Sequence, residues 1–551
     1  MRKYFNKNHL LGSLFFLIPL IFLIELYFFP LFSIFRSAFR YLADEITINW
    51  SNIGHVFWFT FWQAIISTIL TLIAGFPTAW IFSRFNFPGK KIFNALFTIP
   101  FILPTVVTAA AFNALLGPKG FINMIWMSVS GSSSPIVQVM NTIWIILLAH
   151  VFYNTSVVLR VIGNSWTQID SKLEDAAKTL GASPLKVFSR VVFPQLKPSI
   201  LSACLLIFLF DFTSYGVVFL LGGPKFRTIE VEIYYQALQM LNLPLAGILS
   251  IFQIIITIAV TLIDKRLSHI ILLNRAPKIF GENLRKPELR WEKIVVFIIL
   301  GLQFIFLISP ILALFLRSMY VFPSESSRTT IASGWTTVYY QQLFVNARNS
   351  IFFVPPIKAI LNSLSIAIAA SGISLIISLF IVVGENRFPW TGKLESIFMI
   401  PIGTSAVTLG LGYLLYFGRD IQKIWLIPLA HSLIALPFVI RSIKPAIFNI
   451  PNSLRQSASI LGASPVQVFL KIDFPIIFRG LINGFIFAFT ISLGEFGATS
   501  FITRPDRPTI PIAIYRFLGQ PGLMNYGQAM AMASILMTFC LTMIVIVDQK
   551  E

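Results

Sequence analysis

Glu25, Asp211 and Glu495 each stand inside a long apolar run of this chain. A carboxylate at membrane depth is costly and is kept where it meets a partner, a cavity or a passing solute. The spacing of two of them is informative. When the chain is laid over itself at an offset of 281 residues, Asp211 falls on Ser492 and Ser214 on Glu495, so each copy carries one acid within a turn of the same helix. Asp211 and Glu495 are therefore the candidate pathway or gate residues, and two acids on one path would favour a cation. The competing reading makes Glu495, in "GEFG", a packing or hinge residue. His150 and His431 are a second pair at the same offset, and single histidines in apolar helices suit hydrogen bonds between helices better than contact with a solute.

Other chemistry lacks the residues to carry it. The chain has no GxxxxGK[ST] loop to cradle ATP phosphates, no HExxH and no GxSxG, so no catalytic residue is expected. Cys204 and Cys540 lie apart in apolar runs, which gives neither a disulfide framework nor a CxxC metal site. No metal and no cofactor are expected.

The elements that position these residues are membrane helices. Of 551 residues, 56% are apolar and only 12% charged, with a mean hydropathy of +0.80, far from the roughly 25% charged of soluble domains. Runs near the ~20 residues that cross a bilayer as helix lie at 10–35, 56–83, 92–116, 136–159, 199–221 and 245–263, then at 294–316, 359–384, 394–417, 424–440, 481–502 and 528–547. These predict an all-α integral membrane protein of about twelve spans, six on each side of the middle. The first run is too long for a cleaved signal peptide and reads as a retained helix. With both termini cytoplasmic, the inner loops carry 28 of the 42 Lys and Arg and the outer loops 14, the asymmetry expected of a cytoplasmic membrane protein. The +20 net charge is thus a topology signal, and its dispersal over short loops argues against a nucleic-acid partner. The basic stretch 264–293 reads as a cytoplasmic linker between units 1–263 and 294–551.

The two units are parallel copies. "LGASP" occurs at 180–184 and again at 461–465, and at the same offset Ala149-His150 falls on Ala430-His431, Arg160 on Arg441, Phe193-Pro194 on Phe474-Pro475, Gly216 on Gly497 and Ile233-Tyr234 on Ile514-Tyr515. Upstream, Phe87-Pro88 and Ile99-Pro100 match Phe388-Pro389 and Ile400-Pro401 at an offset of 301, which leaves about 20 extra residues in the first copy between Pro100 and His150. An even number of spans per copy keeps both the same way up.

The repeated loops have readable local physics. In 173–194 and 454–475 a short Ala-bearing helix should stop at Gly181 or Gly462, where glycine takes a left-handed cap without strain. Ser183 should cap a second helix opened by Pro184, and Phe193-Pro194 should end that helix before the next span. A helix pair resting at the membrane interface would account for either copy alone, but not for the recurrence of the same turn.

The stretch "EDAAKTLGASPLKVFSRVVFP" resembles the EAA loop of binding-protein-dependent ABC importer permeases: Glu-Ala-Ala, three residues, Gly, then an apolar stretch ending in Pro. Asp175, Ala176, Ala177 and Gly181 hold the motif positions, with Glu174 just before and Pro184 after; the second copy keeps Ala458, Gly462 and Pro465 but has Arg455 and Gln456 around the acidic position. "SLGEFGATSFI" at 492–502 is similar to the segment after this loop in the molybdate, sulfate, iron and thiamine group. The 6+6 layout resembles the fused permeases of ferric-iron and thiamine importers, and "FTFWQA" (59–64), "ILLAHVFYN" (146–154) and "LLGGPKFRTIEVEIYYQAL" (220–238) resemble the thiamine branch.

The resemblance implies two tandem six-helix type I ABC transmembrane domains, coupling loops that dock on a cytoplasmic ABC ATPase dimer, and an extracytoplasmic substrate-binding protein that delivers thiamine or, in the same family, ferric iron, partly through the outer loop 318–357. Two other classes compete. A secondary transporter with 6+6 repeats would need no docking loops, and a membrane-embedded enzyme would need clustered His, Cys or acidic residues.

Overall fold

Inside a bilayer every backbone N–H and C=O must find a partner within the protein, which leaves helices as the economical solution for sequences of this hydropathy. A computed structural model describes residues 16–43, 50–273, 284–326, 332–345, 355–387, 392–423 and 425–548. Residues 10–15 of the first expected span, both extreme termini, 274–283 of the expected linker and parts of the loop 318–357 lie outside these described residues. In the first half the helices are α1 (Phe16–Phe39), α2 (Trp50–Arg84), α3 (Lys90–Ile102), α4 (Thr105–Leu116), α5 (Phe121–Ser130), α6 (Ile143–Thr167), α7 (Ser171–Thr179), α8 (Pro184–Phe212), α9 (Gly216–Leu221), α10 (Ile229–Tyr234) and α11 (Leu243–Leu267). The second half repeats the order as α12 (Arg290–Met319), α13 (Pro356–Asn386), α14 (Glu395–Gly403), α15 (Ala406–Phe417), α16 (Leu426–Phe448), α17 (Asn452–Ile460), α18 (465–494), α19 (Gly497–Ile502), α20 (Ile510–Leu518) and α21 (Leu523–Met543). Among the described residues the only sheet is a two-residue pairing of Tyr320–Val321 with Gly334–Trp335.

Among the described residues eleven helices are long and apolar enough to span, or twelve if the bent pair α14–α15 counts as one, in line with the expected number. Several boundaries move. The runs 92–116 and 394–417 are not straight spans: each breaks, at Leu103-Pro104 and at Thr404-Ser405, the second with a bend of 101°. Leu103 adopts φ −63°, ψ 133° because the following proline disfavours the helical region, and Ser405 caps α15 by accepting from the Thr408 amide. The run 136–159 becomes helical only at Ile143. The runs 199–221 and 481–502 also break, after Phe212 and after Gly494, and their crossing helices begin much earlier, inside the repeated loops. The helix from Leu243 continues to Leu273, so the expected linker 264–293 is helical at its start, and its end is α12 from Arg290.

Each half lends its first helix to the other. α1 packs between α11 of its own half and α15 of the second, and α12 packs between α21 of its own half and α4 of the first. Because α4 and α15 are repeat equivalents, the exchange is reciprocal. Across this seam Tyr27 pairs with Thr404 at 2.6 Å, and the Tyr416 hydroxyl donates to Glu25 at 3.0 Å, which accounts for the first of the three intramembrane acids.

Candidate functional site: repeated loops and the junction between halves

Both LGASP turns close in the same way. Gly181 and Gly462 sit at φ +80° and +83°. The amide of Ala182 bonds to Ala177 O at 3.0 Å and that of Gly181 to Lys178 O at 2.9 Å; in the second copy Ala463 reaches Ala458 O at 3.0 Å and Gly462 reaches Ser459 O at 3.1 Å. This is the complete Schellman pattern, which satisfies the last carbonyls of each short helix and turns the chain sharply. The next helix opens differently in the two copies. Ser464 and Gln467 cap each other's amides, at 3.4 and 2.9 Å, a capping box. Ser183 holds the cap position without a side-chain bond, contrary to expectation, and Lys186, a donor with no acceptor, cannot return a bond to its amide as Gln467 does for Ser464.

The second helix of each loop does not end at Phe-Pro. A π-turn over Phe188–Val192, and another over Phe469–Asp473, carries it into the membrane span as one continuous helix. Pro194 has no amide to give and its ring would crowd the carbonyl four residues back. Widening the turn, so that Phe193 N bonds Phe188 O, relieves that crowding. Each turn is thereby joined rigidly to a crossing helix.

The outward side of both loops is apolar at its tip. Leu180 and Leu185 protrude from the first and Ile460 and Leu461 from the second, with Asp175, Ala176, Gly181, Pro184, Gln456 and Gly462 also exposed, except that the side chain of Pro465 lies outside the described residues. Ala177 and Ala458 are half-buried. Asp175 pairs with Lys178 at 2.9 Å on the open surface. Glu174 corrects the expectation of an outward contact: it is buried and ion-paired with Arg84 at the end of α2, so it anchors the loop to the bundle. Arg455, half-buried, binds Asp473 at 2.9 Å within its own loop.

The repeat exposes a charge reversal here. Arg84 corresponds to Glu385 at the offset of 301, and Glu174 to Arg455 at 281. The second half therefore carries the same pair with its signs exchanged, yet Glu385 binds Lys444 at 3.0 Å instead. Exchanging the signs in the first half tests whether the anchor is a simple ion pair. Arg84→Glu or Glu174→Arg alone should lower transport several-fold, because each leaves a like-charged pair beside the loop, whereas the double variant should recover most of it. A double variant no better than either single one would show that the loop is held by something else.

Asp211 and Glu495 are each placed inside the bundle of their own half, bracketed by the repeat-related histidines. His150 Nε2 pairs with Ser214 at 2.8 Å and its Nδ1 lies 3.4 Å from Asp211, which also accepts from Asn154 at 2.7 Å. In the second half His431 Nδ1 pairs with Ser492 at 2.7 Å, and Nε2 meets Thr499 at 2.8 Å and Glu495 at 3.1 Å. The acid and the serine have exchanged places along the helix, and the imidazole uses its opposite nitrogens to meet them. Glu495 further accepts from the amides of Ala498 and Thr499 at 2.7 and 2.9 Å, capping α19. These brackets stand where the spans break, and the freed carbonyls of Asp211 and Ser214 are taken by Gln63 and Thr228 at 2.9 and 3.0 Å. The acids and histidines thus hold irregular backbone inside the membrane.

What lies between the halves is aromatic. Tyr215 stacks on Phe496, its own repeat mate, with centroids 5.2 Å apart and an interplanar angle of 23°. Phe219 lies 5.1 Å from Tyr515 and 4.9 Å from Tyr234, and Tyr234 is 5.8 Å from Phe501. Contact between a residue and its repeat mate places the pseudo-twofold axis through this stack. Gly216 permits the approach: a Cβ there would fall 2.4 Å from Thr105 Oγ1 and 3.6 Å from Phe496. Glu230, on α10 one turn before Tyr234, is buried and accepts from Gln253 at 2.6 Å, and Gln253 accepts in turn from Thr408 of the second half at 3.1 Å. Sequence reading passed over Arg84 and Glu230. Both carried a signal, Arg84 as the basic residue ending a span and Glu230 as an acid in the quoted stretch 220–238.

Two crossing-helix bundles in tandem, each with a rigid turn and meeting at an axial junction, are the arrangement a membrane permease needs. A model of the family described as "Binding-protein-dependent transport system inner membrane component" matches residues 71–269. The chain is 24% identical over 519 residues to the thiamine transport system permease protein ThiP of Salmonella typhimurium, covering 91% of this chain and 89% of that one. To the protein of the same name from Haemophilus influenzae it is 25% identical over 505 residues, 88% and 86% of the two chains. It is 32% identical over 203 residues to a probable sulfate transport system permease protein cysT of Marchantia polymorpha, covering 36% of this chain and 68% of that one. The chain belongs to the binding-protein-dependent transport system inner membrane components and is a multi-pass ABC importer permease with two transmembrane units in one polypeptide.

Proposed function

We propose that this permease imports thiamine. The observation that carries the reading is the likeness to thiamine permeases along nine-tenths of the chain, which includes both repeated loops and the stretch 220–238. In this reading residues 1–263 and 294–551 are the two transmembrane units, joined by 264–293, with both termini in the cytoplasm. The apolar tips Leu180, Leu185, Ile460 and Leu461 dock in clefts of a separate cytoplasmic ATPase dimer, and Asp175 and Gln456 border those contacts. Closure of the ATPases on ATP draws the two turns together, and the continuous helices α8 and α18 carry that motion to the junction. A loaded binding protein on the outer loops then releases its ligand into the opened path.

The test is uptake of labelled thiamine by proteoliposomes holding the permease, its ATPase and its binding protein. ATP-dependent accumulation of thiamine, with no accumulation of ferric iron, is expected. Iron uptake without thiamine uptake would move the protein to the ferric branch. Uptake without ATP or ATPase would make it a secondary transporter.

A further inference from the structure

We propose that the aromatic stack on the pseudo-twofold axis is at once the seal of the pathway and its selectivity element: Tyr215, Phe219, Tyr234, Phe496 and Tyr515 part to sandwich a flat aromatic cation, and Glu230 supplies the opposing charge. The proposal rests on the reading that the cargo is of the thiamine class.

A solute that crosses between two halves related by an axis must pass the residues on that axis, and there Tyr215 and Phe496 lie face to face at 5.2 Å. Stacked rings exclude water when closed, and on parting they present π faces that attract a planar cation. The rim of the stack already holds one such cation: the Arg227 guanidinium lies 4.2 Å above the centre of the Tyr235 ring. A carboxylate is needed beside the rings, and Asp211 cannot serve, because the partners of its carboxylate, His150 and Asn154, both belong to the bundle of the first half. Glu230 is better placed. It shares the face of α10 with Tyr234, it is bonded by the Ser405 side chain of the second half, and its own partner Gln253 is bonded by Thr408 of the second half. Separation of the halves must therefore remove Ser405 and break the Gln253–Thr408 bond, leaving the carboxylate with Gln253 alone. The rings and the acid are thereby uncovered by the same movement.

Two arms test this in proteoliposomes. Glu230→Gln keeps the size of the side chain and a hydrogen-bonding group for Gln253. It should lower thiamine uptake about tenfold, the loss of one contact to a charged group, while stimulation of ATP hydrolysis by the loaded binding protein stays at the wild-type level. The double variant Tyr215→Ala/Phe496→Ala should let preloaded thiamine leak out in the absence of ATP. Wild-type uptake by Glu230→Gln together with vesicles as tight as wild type in the double variant would overturn the proposal. If the wild-type protein moves no thiamine, the cargo reading fails instead. The seal is then judged on leakage of a small fluorescent cation through the double variant, where tight vesicles overturn it.

Discussion

Glu495→Ala should be the most destabilising truncation of a membrane-buried acid in this protein, visible as a large fall in Tm in detergent and in the yield of monodisperse permease. The carboxylate joins three things at once. It meets His431 on α16, accepts from two amides at the start of α19 and accepts from the Thr499 hydroxyl. Its removal leaves those donors buried in a region without water, and breaking a buried pair of this kind costs about 3–5 kcal/mol. Glu495→Gln keeps an acceptor for part of the set and should cost markedly less. Asp211→Ala is the internal comparison. Its carboxylate accepts from Asn154 and faces His150 but caps no helix, so its loss should cost about 1–3 kcal/mol, the penalty of leaving one buried partner unsatisfied. Equal Tm values for Glu495→Ala and Asp211→Ala would show that the capping of α19 contributes little, and a Glu495→Ala protein as stable as wild type would remove the bracket as a structural element.

Gly181→Val and Gly462→Val should separate ATP hydrolysis from transport. A Cβ at either position would meet nothing within 4 Å, so any effect comes from the backbone. At φ +80° and +83° a β-branched residue pays about 1–2 kcal/mol or more, and the turn relieves that strain by leaving the left-handed region. The Schellman bonds from Ala182 to Ala177 and from Ala463 to Ala458 are then lost, and the helix that continues into the membrane is re-aimed. The expected result is normal insertion, residual ATP hydrolysis and loss of most uptake in both variants. Asparagine tolerates the left-handed region, so Gly181→Asn should retain much of the transport. Normal uptake by both valine variants at wild-type expression would sink the coupling role of the turns, and equal loss in Gly181→Asn would show that the bare surface of the glycine matters and not its φ.

Much of the architecture was legible in the sequence because it rests on local rules. Hydropathy located the spans, the offset of 281 residues paired the two loops, and glycine before a small polar residue and proline announced the turns that the Schellman bonds complete. The misreadings have local causes too. Hydropathy is indifferent to a bend inside an apolar run, so the breaks at Leu103-Pro104, Thr404-Ser405, Thr213 and Glu495 read as continuous helix. Pro194 reads as a terminator until a π-turn is seen to absorb it.

Composition, hydropathy and the internal repeat determined that this is a helical membrane protein built as two parallel copies with matching glycine turns, since those properties follow from burial of apolar surface and from backbone preferences a few residues long. Tertiary structure decided what each charged residue does. Glu174 and Asp175 are neighbours in sequence, yet one is locked to Arg84 and the other lies open, because helix geometry turns adjacent side chains about 100° apart. Asp211 and Glu495 look alike as buried acids, and only the approach of His150 and His431 from another helix assigns them to holding broken backbone. Tyr215 and Phe496 are 281 residues apart and meet only because the two copies face each other across an axis, a relation that no local pattern encodes.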